Sequence, residues 1–330
     1  MQITLVLTHQ CNLACDYCYA GEKFARAMTY ETGARALRMA FAAAGPGEAI
    51  TVGFFGGEPM LEFPLMVRLT RLAHRLARRQ RRILQLTVTS NGTVLSEKHL
   101  RFLYTYGFDT ALSVDGLGQG NRHRPFATGH DSTAVVWGNI AAAAQMLEKL
   151  NVLMVVGPDS LDDLERSVQR LYQLGVPTVS LLPNVDVEWM ENDWVRAREV
   201  FARLTEVCRR LLEVRPLVLH PLIDRLRPTM SASRCGFGDT EVAVSPRGHL
   251  YPCARLVGTD VRRDIRIGNV RDGIDLAQVA AVQTRSHRSM AGCGVDGPCG
   301  CVPLMPGTCI EHQLERYRRF GESIEQGVTA

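Results

Sequence analysis

The chain lacks any run of about 18 consecutive apolar residues, the least that a membrane-spanning helix requires. No membrane partner is therefore expected. The first residues, MQITLVLTHQC, have neither the basic start, the long apolar stretch nor the small-residue cleavage site of a secretion signal, so the expected location is the cytoplasm. Neither internal repeats nor low-complexity tracts occur, apart from an alanine run at 141–144. Charge of one sign is not in excess either. The 38 basic and 34 acidic residues leave a net charge of +4, too small to call for a nucleic-acid partner. What remains is a 330-residue chain with 46% hydrophobic and 22% charged residues, ordinary for a soluble fold with at least one full core. Its unusual feature is ten cysteines, a high count for a reducing compartment where structural disulfides do not persist. Three fall between Cys11 and Cys18, six between Cys235 and Cys309, and Cys208 stands apart. Bunching of this kind points to metal binding, since thiols that merely fill a core would be scattered.

Short β-branched runs alternate with longer helical patterns over the first two-thirds of the chain, the signature of repeated βα units. Strands are predicted at 2–8, 51–55, 84–89, 110–114, 151–156 and 178–182, with helices near 30–44, 61–80, 96–106, 132–149 and 160–174. Six units are too few for a closed eightfold barrel. The expected fold class is α/β: a partial (β/α)6 open TIM-like barrel over residues 1–215, with a small, irregular, cysteine-rich C-terminal domain over 216–330. A helix at about 191–214 precedes the boundary, and little helical periodicity is evident from 230 until a tail beginning near 311.

The loop after the first strand carries CNLACDYCY, which spaces Cys11, Cys15 and Cys18 as C-x3-C-x2-C. Three thiolates can hold three irons of a 4Fe-4S cube and leave the fourth iron open to a small molecule. A structural zinc site usually takes four protein ligands, and no histidine stands at a suitable spacing to complete one. GGEP follows the second strand, where Gly56 and Gly57 allow close approach of backbone and Glu58, next to Pro59, supplies negative charge. SNG follows the third strand with Asn91, and SVDG ends the fourth with Ser113 and Asp115. Each of these motifs falls where a predicted strand ends, the end at which barrel enzymes build active sites.

With Tyr17 just before its third cysteine, this set resembles the radical S-adenosylmethionine (SAM) superfamily. The resemblance implies that Cys11, Cys15 and Cys18 ligate a 4Fe-4S cluster and that GGEP receives the amine of SAM. It further implies that Ser113, Asp115 and more weakly Asn91 address its ribose, and that an arginine meets its carboxylate. Arg124, rather than Arg122, is the candidate for that last role.

Cys235-x12-Gly248-x4-Cys253 resembles the start of the SPASM extension of the same superfamily, which holds auxiliary iron-sulfur clusters. The later spacing departs from the family pattern: Cys293-x5-Cys299 is kept, but Met290 replaces the preceding cysteine and Cys301 comes early. The resemblance implies one cluster on Cys235, Cys253 and Cys301 and a second on Cys293, Cys299 and Cys309. Asp239, Glu241 and His287 are candidates for fourth ligands, and a single four-cysteine cluster or a zinc site are the alternatives. Relatives with this extension mostly modify peptides or proteins. The implied function is hydrogen abstraction from such a substrate, for instance a precursor peptide crosslinked through a thioether or C-C bond, with flavodoxin or ferredoxin as electron donor. Because the chain begins at the first strand, the N-terminal peptide-binding domain of many relatives is expected to be absent. Dehydrogenation or epimerisation of an aminocyclitol or sugar, and a non-catalytic electron carrier or sensor, are the competing expectations. Trp189, Trp194 and Cys208 are expected to pack, and the basic run 75–82 to be a solvated helix end.

Overall fold

Strands of seven, seven and seven residues open the chain, each rich in β-branched or aromatic side chains and each followed by an amphipathic helix. They are β1 (Gln2–Thr8), β2 (Ile50–Gly56) and β3 (Leu84–Ser90), with α1 (Tyr30–Ala43), α2 (Phe63–Gln80) and α3 (Glu97–Thr105) after them. The alternation continues through β4 (Asp109–Ser113), α4 (Thr133–Ala144), β5 (Leu150–Val156), α5 (Leu161–Gln173), β6 (Thr178–Pro183), α6 (Glu191–Leu212) and β7 (Val218–His220). After it come β8 (Glu241–Val244), β9 (His249–Tyr251), β10 (Gly268–Asn269), β11 (Gly273–Ile274), α7 (Leu276–Met290) and α8 (Ile310–Thr329). This computed structural model describes residues 1–220, 238, 240–290 and 310–329.

All these strands join one sheet in the order β11-β10-β9-β8-β1-β2-β3-β4-β5-β6-β7. From β8 to β7 every neighbouring pair is parallel, whereas β9, β10 and β11 are added antiparallel at one edge. The sheet does not close, as an open barrel requires. Parallel strands that return through helices all point the same way, so the loops after β1 to β6 gather on one rim.

The six predicted strands and the helices between them are present, with ends displaced by a few residues. α4 stops at Ala144, short of the expected 149. α5 lies within the expected 160–174, and the Ser160 hydroxyl bonds the Gly157 backbone rather than the helix start. The sequence did not announce β7 or β8, whose three and four residues are too short to show a period. β8 is defined by its partner β1, to which it pairs from Gln2↔Glu241 to Leu5↔Val244. Nor was α7 expected; it starts at Asp275, whose carboxylate accepts from Gln278 N at 3.1 Å.

One core runs through the sheet and its helices, from Ile3, Leu5 and Leu7 of β1 to Val242 and Val244 of β8 and Ile324 of α8. Trp189 and Trp194 stack at 4.4 Å between ring centroids and are buried, with Phe320 edge-on to Trp189. They pack, as expected, at the junction of α6 and α8. Cys208 is buried in the same core.

Candidate active site

Cys11, Cys15 and Cys18 lie on the loop that leaves β1, all three free thiols and half-buried. Cys18 N donates to Cys15 O at 3.3 Å, which turns the chain so that the second and third thiols approach. Donors already face the sulfurs: Leu13 N at 3.4 Å and Asn91 Nδ2 at 3.6 Å from Cys11 Sγ, and Lys23 Nζ at 2.8 Å from Cys18 Sγ. Burial pushes the Cys11 thiol up and the Cys15 thiol up to about 11, so without a bound cation these thiols would keep their protons. A metal reverses that preference.

The GGEP loop is pressed against the first loop. Gly56 has φ +143°, and a Cβ on it would fall 2.4 Å from Thr8 O, while one on Gly57 would fall 2.2 Å from Gln10 O. Only glycine fits at these positions. Gly57 N and Glu58 N complete the seam by donating to Thr8 O and Gln10 O at 2.8 and 2.9 Å. Glu58 is fully buried. Its carboxylate accepts from Asn91 N at 2.7 Å, Ser90 Oγ at 2.9 Å and Met60 N at 2.9 Å. Burial pushes its carboxyl up, and these three donors oppose the shift. Glu58 thus ties the β2 loop to the β3 loop, where Asn91 reaches on to Asn12 Oδ1 at 2.9 Å.

At the end of β4, Ser113 is half-buried and its hydroxyl has no partner among the described residues. Asp115 is buried; it accepts a short hydrogen bond from Tyr17 Oη and another from Val155 N at 3.2 Å. Arg124 Nη1 donates to Tyr17 Oη at 2.7 Å and lies 3.9 Å from Asp115 Oδ1, so the phenol joins a buried ion pair. Burial alone would lower the pKa of Arg124, but Tyr17, Asp115 and Cys15 outweigh it and keep the guanidinium charged. Its Nε is buried and has no partner among the described residues. Arg122 instead points to Asp159 at the β5 loop. Between them His123 presents Nδ1 to Asp16 at 2.5 Å and Nε2 to Asp159 at 2.6 Å.

Three soft sulfur donors, a glycine seam and an unfilled buried guanidinium N–H thus meet on one rim of an open parallel barrel. The sequence model of the radical SAM superfamily matches residues 5–171, half of the chain. The chain belongs to the radical SAM superfamily. Membership makes it an enzyme that uses a 4Fe-4S cluster and SAM, and the site fits both. Three thiols are the soft donors that iron-sulfur clusters take, and three of them would leave one iron corner without a protein ligand. Arg124 Nε, buried and without a partner among the described residues, leaves a donor for a polar ligand.

Among curated proteins, the chain is 26% identical over 178 residues to the uncharacterized protein MJ0907 of Methanocaldococcus jannaschii, covering 54% of this chain and 60% of that one. It is 22% identical over 329 residues to the antilisterial bacteriocin subtilosin biosynthesis protein AlbA of Bacillus subtilis, covering 91% of this chain and 66% of that one. The chain therefore spans less than two thirds of these relatives. Among solved structures, anSMEcpe with bound AdoMet and Cp18Cys peptide superposes with a TM-score of 0.76 at 17% identity, over 100% of this chain and 98% of the other. Streptococcus suis SuiB bound to precursor peptide SuiA gives 0.57 at 16% identity, over 79% and 61%. Both likenesses establish the shared radical SAM fold.

Cys253 is buried and caps the turn Ala254–Leu256; Cys235, Cys293, Cys299, Cys301 and Cys309 lie outside the described residues, as does Asp239. Glu241 begins β8, beside Gln2. Among the described residues no group of three or more His, Cys, Asp or Glu, the three β1-loop thiols included, is arranged around a single metal ion; a cluster instead takes each thiol at a different iron. No helix of the described residues is long and apolar enough to cross a membrane. Two features escaped the sequence reading. In the sequence Tyr17 stands only as an aromatic before Cys18, with nothing to mark it as the bridge between Asp115 and Arg124. Lys23 had not been singled out at all, although it is one of three lysines in a chain with 38 basic residues.

Proposed function

We propose that this enzyme abstracts a hydrogen atom from a peptide or protein substrate and so modifies it oxidatively, for example by a thioether or C-C crosslink, in the cytoplasm. In this reading Cys11, Cys15 and Cys18 ligate the cluster, which when bound supplies the electron that cleaves SAM to methionine and a 5'-deoxyadenosyl radical. The residues of the chain bind and orient. Backbone carbonyls of Gly56 and Gly57 receive the SAM amine, Glu58 holds their loop and adds its charge, and Pro59 starts the turn behind it. Arg124 offers its free Nε to the carboxylate, and its charge is kept by Asp115 and Tyr17. Ser113, with a hydroxyl to spare, is better suited to the ribose diol than Asp115, whose two oxygens already accept hydrogen bonds; Asn91 serves mainly to brace the cysteine loop. The barrel positions one C–H bond and keeps water out. Residues 216–330 form the SPASM-like domain, with Cys235, Cys253, Cys293, Cys299, Cys301 and Cys309 holding one or two auxiliary clusters, and a flavodoxin or ferredoxin donates electrons.

The observation that carries the SAM reading is the convergence of the three thiols with the Gly57 seam and the Asp115–Tyr17–Arg124 chain. The peptide reading is supported by the end-to-end superposition on anSMEcpe, solved with a peptide, and by the similarity to AlbA across 91% of the chain. Anaerobically reconstituted enzyme, given SAM and dithionite, is expected to release 5'-deoxyadenosine, detected by mass spectrometry, and Cys15→Ala is not. Adding peptides encoded near the gene should increase that release and change the peptide mass. A fully loaded enzyme that yields no deoxyadenosine would sink the SAM reading. Turnover with a sugar or aminocyclitol, and none with peptides, would replace the peptide reading.

A further inference from the structure

Lys23 is the one described lysine whose ammonium meets a cysteine sulfur. Its Nζ lies 2.8 Å from Cys18 Sγ, and it pairs with no carboxylate among the described residues. The other two lysines are engaged elsewhere: Lys98 sits 5.5 Å from the Phe63 ring centroid, and Lys149 pairs with Asp109 at 3.1 Å, at the start of β4.

The segment that carries Lys23 is folded back along the end of β1. Gly21 N donates to Cys18 O at 3.2 Å, His9 N to Arg26 O at 3.1 Å and Met28 N to Leu7 O at 2.7 Å. Ala27 bridges Thr8, and the neighbouring Phe24 stacks on buried His9 at 4.5 Å. The backbone on either side of Lys23 is therefore fixed along β1, and its side chain is half-buried against the Cys18 sulfur rather than fully solvated.

We propose that Lys23 sets the reduction potential of the cluster held by Cys11, Cys15 and Cys18, by donating a charged hydrogen bond to the Cys18 sulfur; this rests on the ligation proposed above. One-electron reduction adds one negative charge to the cluster. A fixed cation at a ligating sulfur stabilises the reduced form more than the oxidised form and raises the potential. Leu13 N and Asn91 Nδ2 act in the same direction on Cys11, but they are neutral and stand at 3.4 and 3.6 Å, so the lysine dominates. Lys23 is thus a positioning and tuning residue, apart from the groups that touch SAM.

The test is an anaerobic redox titration of the full chain, following the reduced-cluster EPR signal that changes when SAM is added, with iron and sulfide counted on each sample. Lys23→Met with wild-type iron content is expected to lose about tenfold in its reduction equilibrium, a midpoint about 59 mV lower for one electron. Lys23→Arg should keep most of the wild-type potential. Lys23→Met that is fully loaded and titrates with the wild type would overturn the inference. Should Lys23→Met fail to load iron, wild-type protein labelled with 15N at lysine Nζ decides. Nitrogen hyperfine coupling to the reduced cluster is expected, and its absence overturns the inference. A wild-type chain with no SAM-responsive cluster would remove the ligation reading itself, a result distinct from an unshifted potential in a loaded variant.

Discussion

Tyr17 shows how much depends on one phenol at the residue scale. Its hydroxyl donates to Asp115 and accepts from Arg124, partners 98 and 107 residues away in the chain. Tyr17→Phe leaves a buried carboxylate and guanidinium 3.9 Å apart without the group that joins them. The expected cost is about 1–3 kcal/mol in anaerobic denaturant unfolding, with weaker SAM binding, and unchanged stability would contradict the bridge. Gly57→Ala should be worse, because the new Cβ meets backbone, not a side chain that can swing away. A loss of about 3 kcal/mol or more, seen as poor folded yield and no deoxyadenosine, is expected. His123 has a pH-dependent role. Burial lowers its pKa, but Asp159 and Asp16 more than compensate and hold it raised. A raised pKa stabilises the fold fully below the unfolded value of about 6.5, and the contribution is lost as pH rises through the folded value. The difference in melting temperature between wild type and His123→Gln should therefore be largest near pH 6 and shrink towards pH 9. A difference that grows with pH would show that the imidazole is not the charged partner of Asp16 and Asp159.

Elements in this fold are held as much by what crosses them as by their own propensities. The C-terminal turn of α1 is satisfied from outside, with Arg82, beyond α2, donating to the carbonyls of Ala44, Gly45 and Glu48. The basic end of α2 is accordingly a mixture: Arg82 ties two helices together, whereas Arg75, Arg78 and Arg79 lie on the helix itself with no ion pair among the described residues. α8 depends on close contact with α6. A Cβ at Gly327 would fall 2.7 Å from Ala202 N, and Arg319 pairs with Glu191 while covering Trp194. Gly327→Val is expected to lift α8 from α6 and expose the Trp189–Trp194 stack. A red-shifted tryptophan emission and faster proteolysis of the C-terminal segment would report it, and an emission spectrum identical to wild type would exclude it. The helices α1 to α6 were visible in the sequence because most repeat their apolar positions over several turns, whereas α4 shows as a nearly continuous apolar run. α7 was not: its own residues hold no Gly, Pro or Cys, but it is set among Gly- and Cys-bearing stretches, and its start is marked by a single aspartate, Asp275.

For the whole molecule, the consequential connection is β8 on β1. The strand that carries the cysteine loop is hydrogen-bonded to β2 on one side and to a strand from the cysteine-rich half on the other. Iron bound by the two ends of the chain should still be separable. Cys11, Cys15 and Cys18 changed together to Ala should remove about four irons from a total of about 8 or 12, and leave the rest. Loss of all iron from that variant would show that the C-terminal cysteines hold no cluster of their own, and loss of none would place the catalytic cluster elsewhere.

The sequence by itself determined the βα alternation, the open barrel with its loops on one rim, and the cysteine and GGEP motifs. These are written in local spacing and period, which survive without knowledge of distant partners. Tertiary structure alone decided that Glu58 spends its carboxylate on the β2–β3 seam, that Tyr17 joins Asp115 to Arg124, and that Lys23 meets Cys18. It also decided that the sheet extends through β7 and β8. Each of these depends on groups brought together across the rim, or on strands too short to pair without a long-range partner. Their energies come from burial and charge at distances that no local pattern encodes.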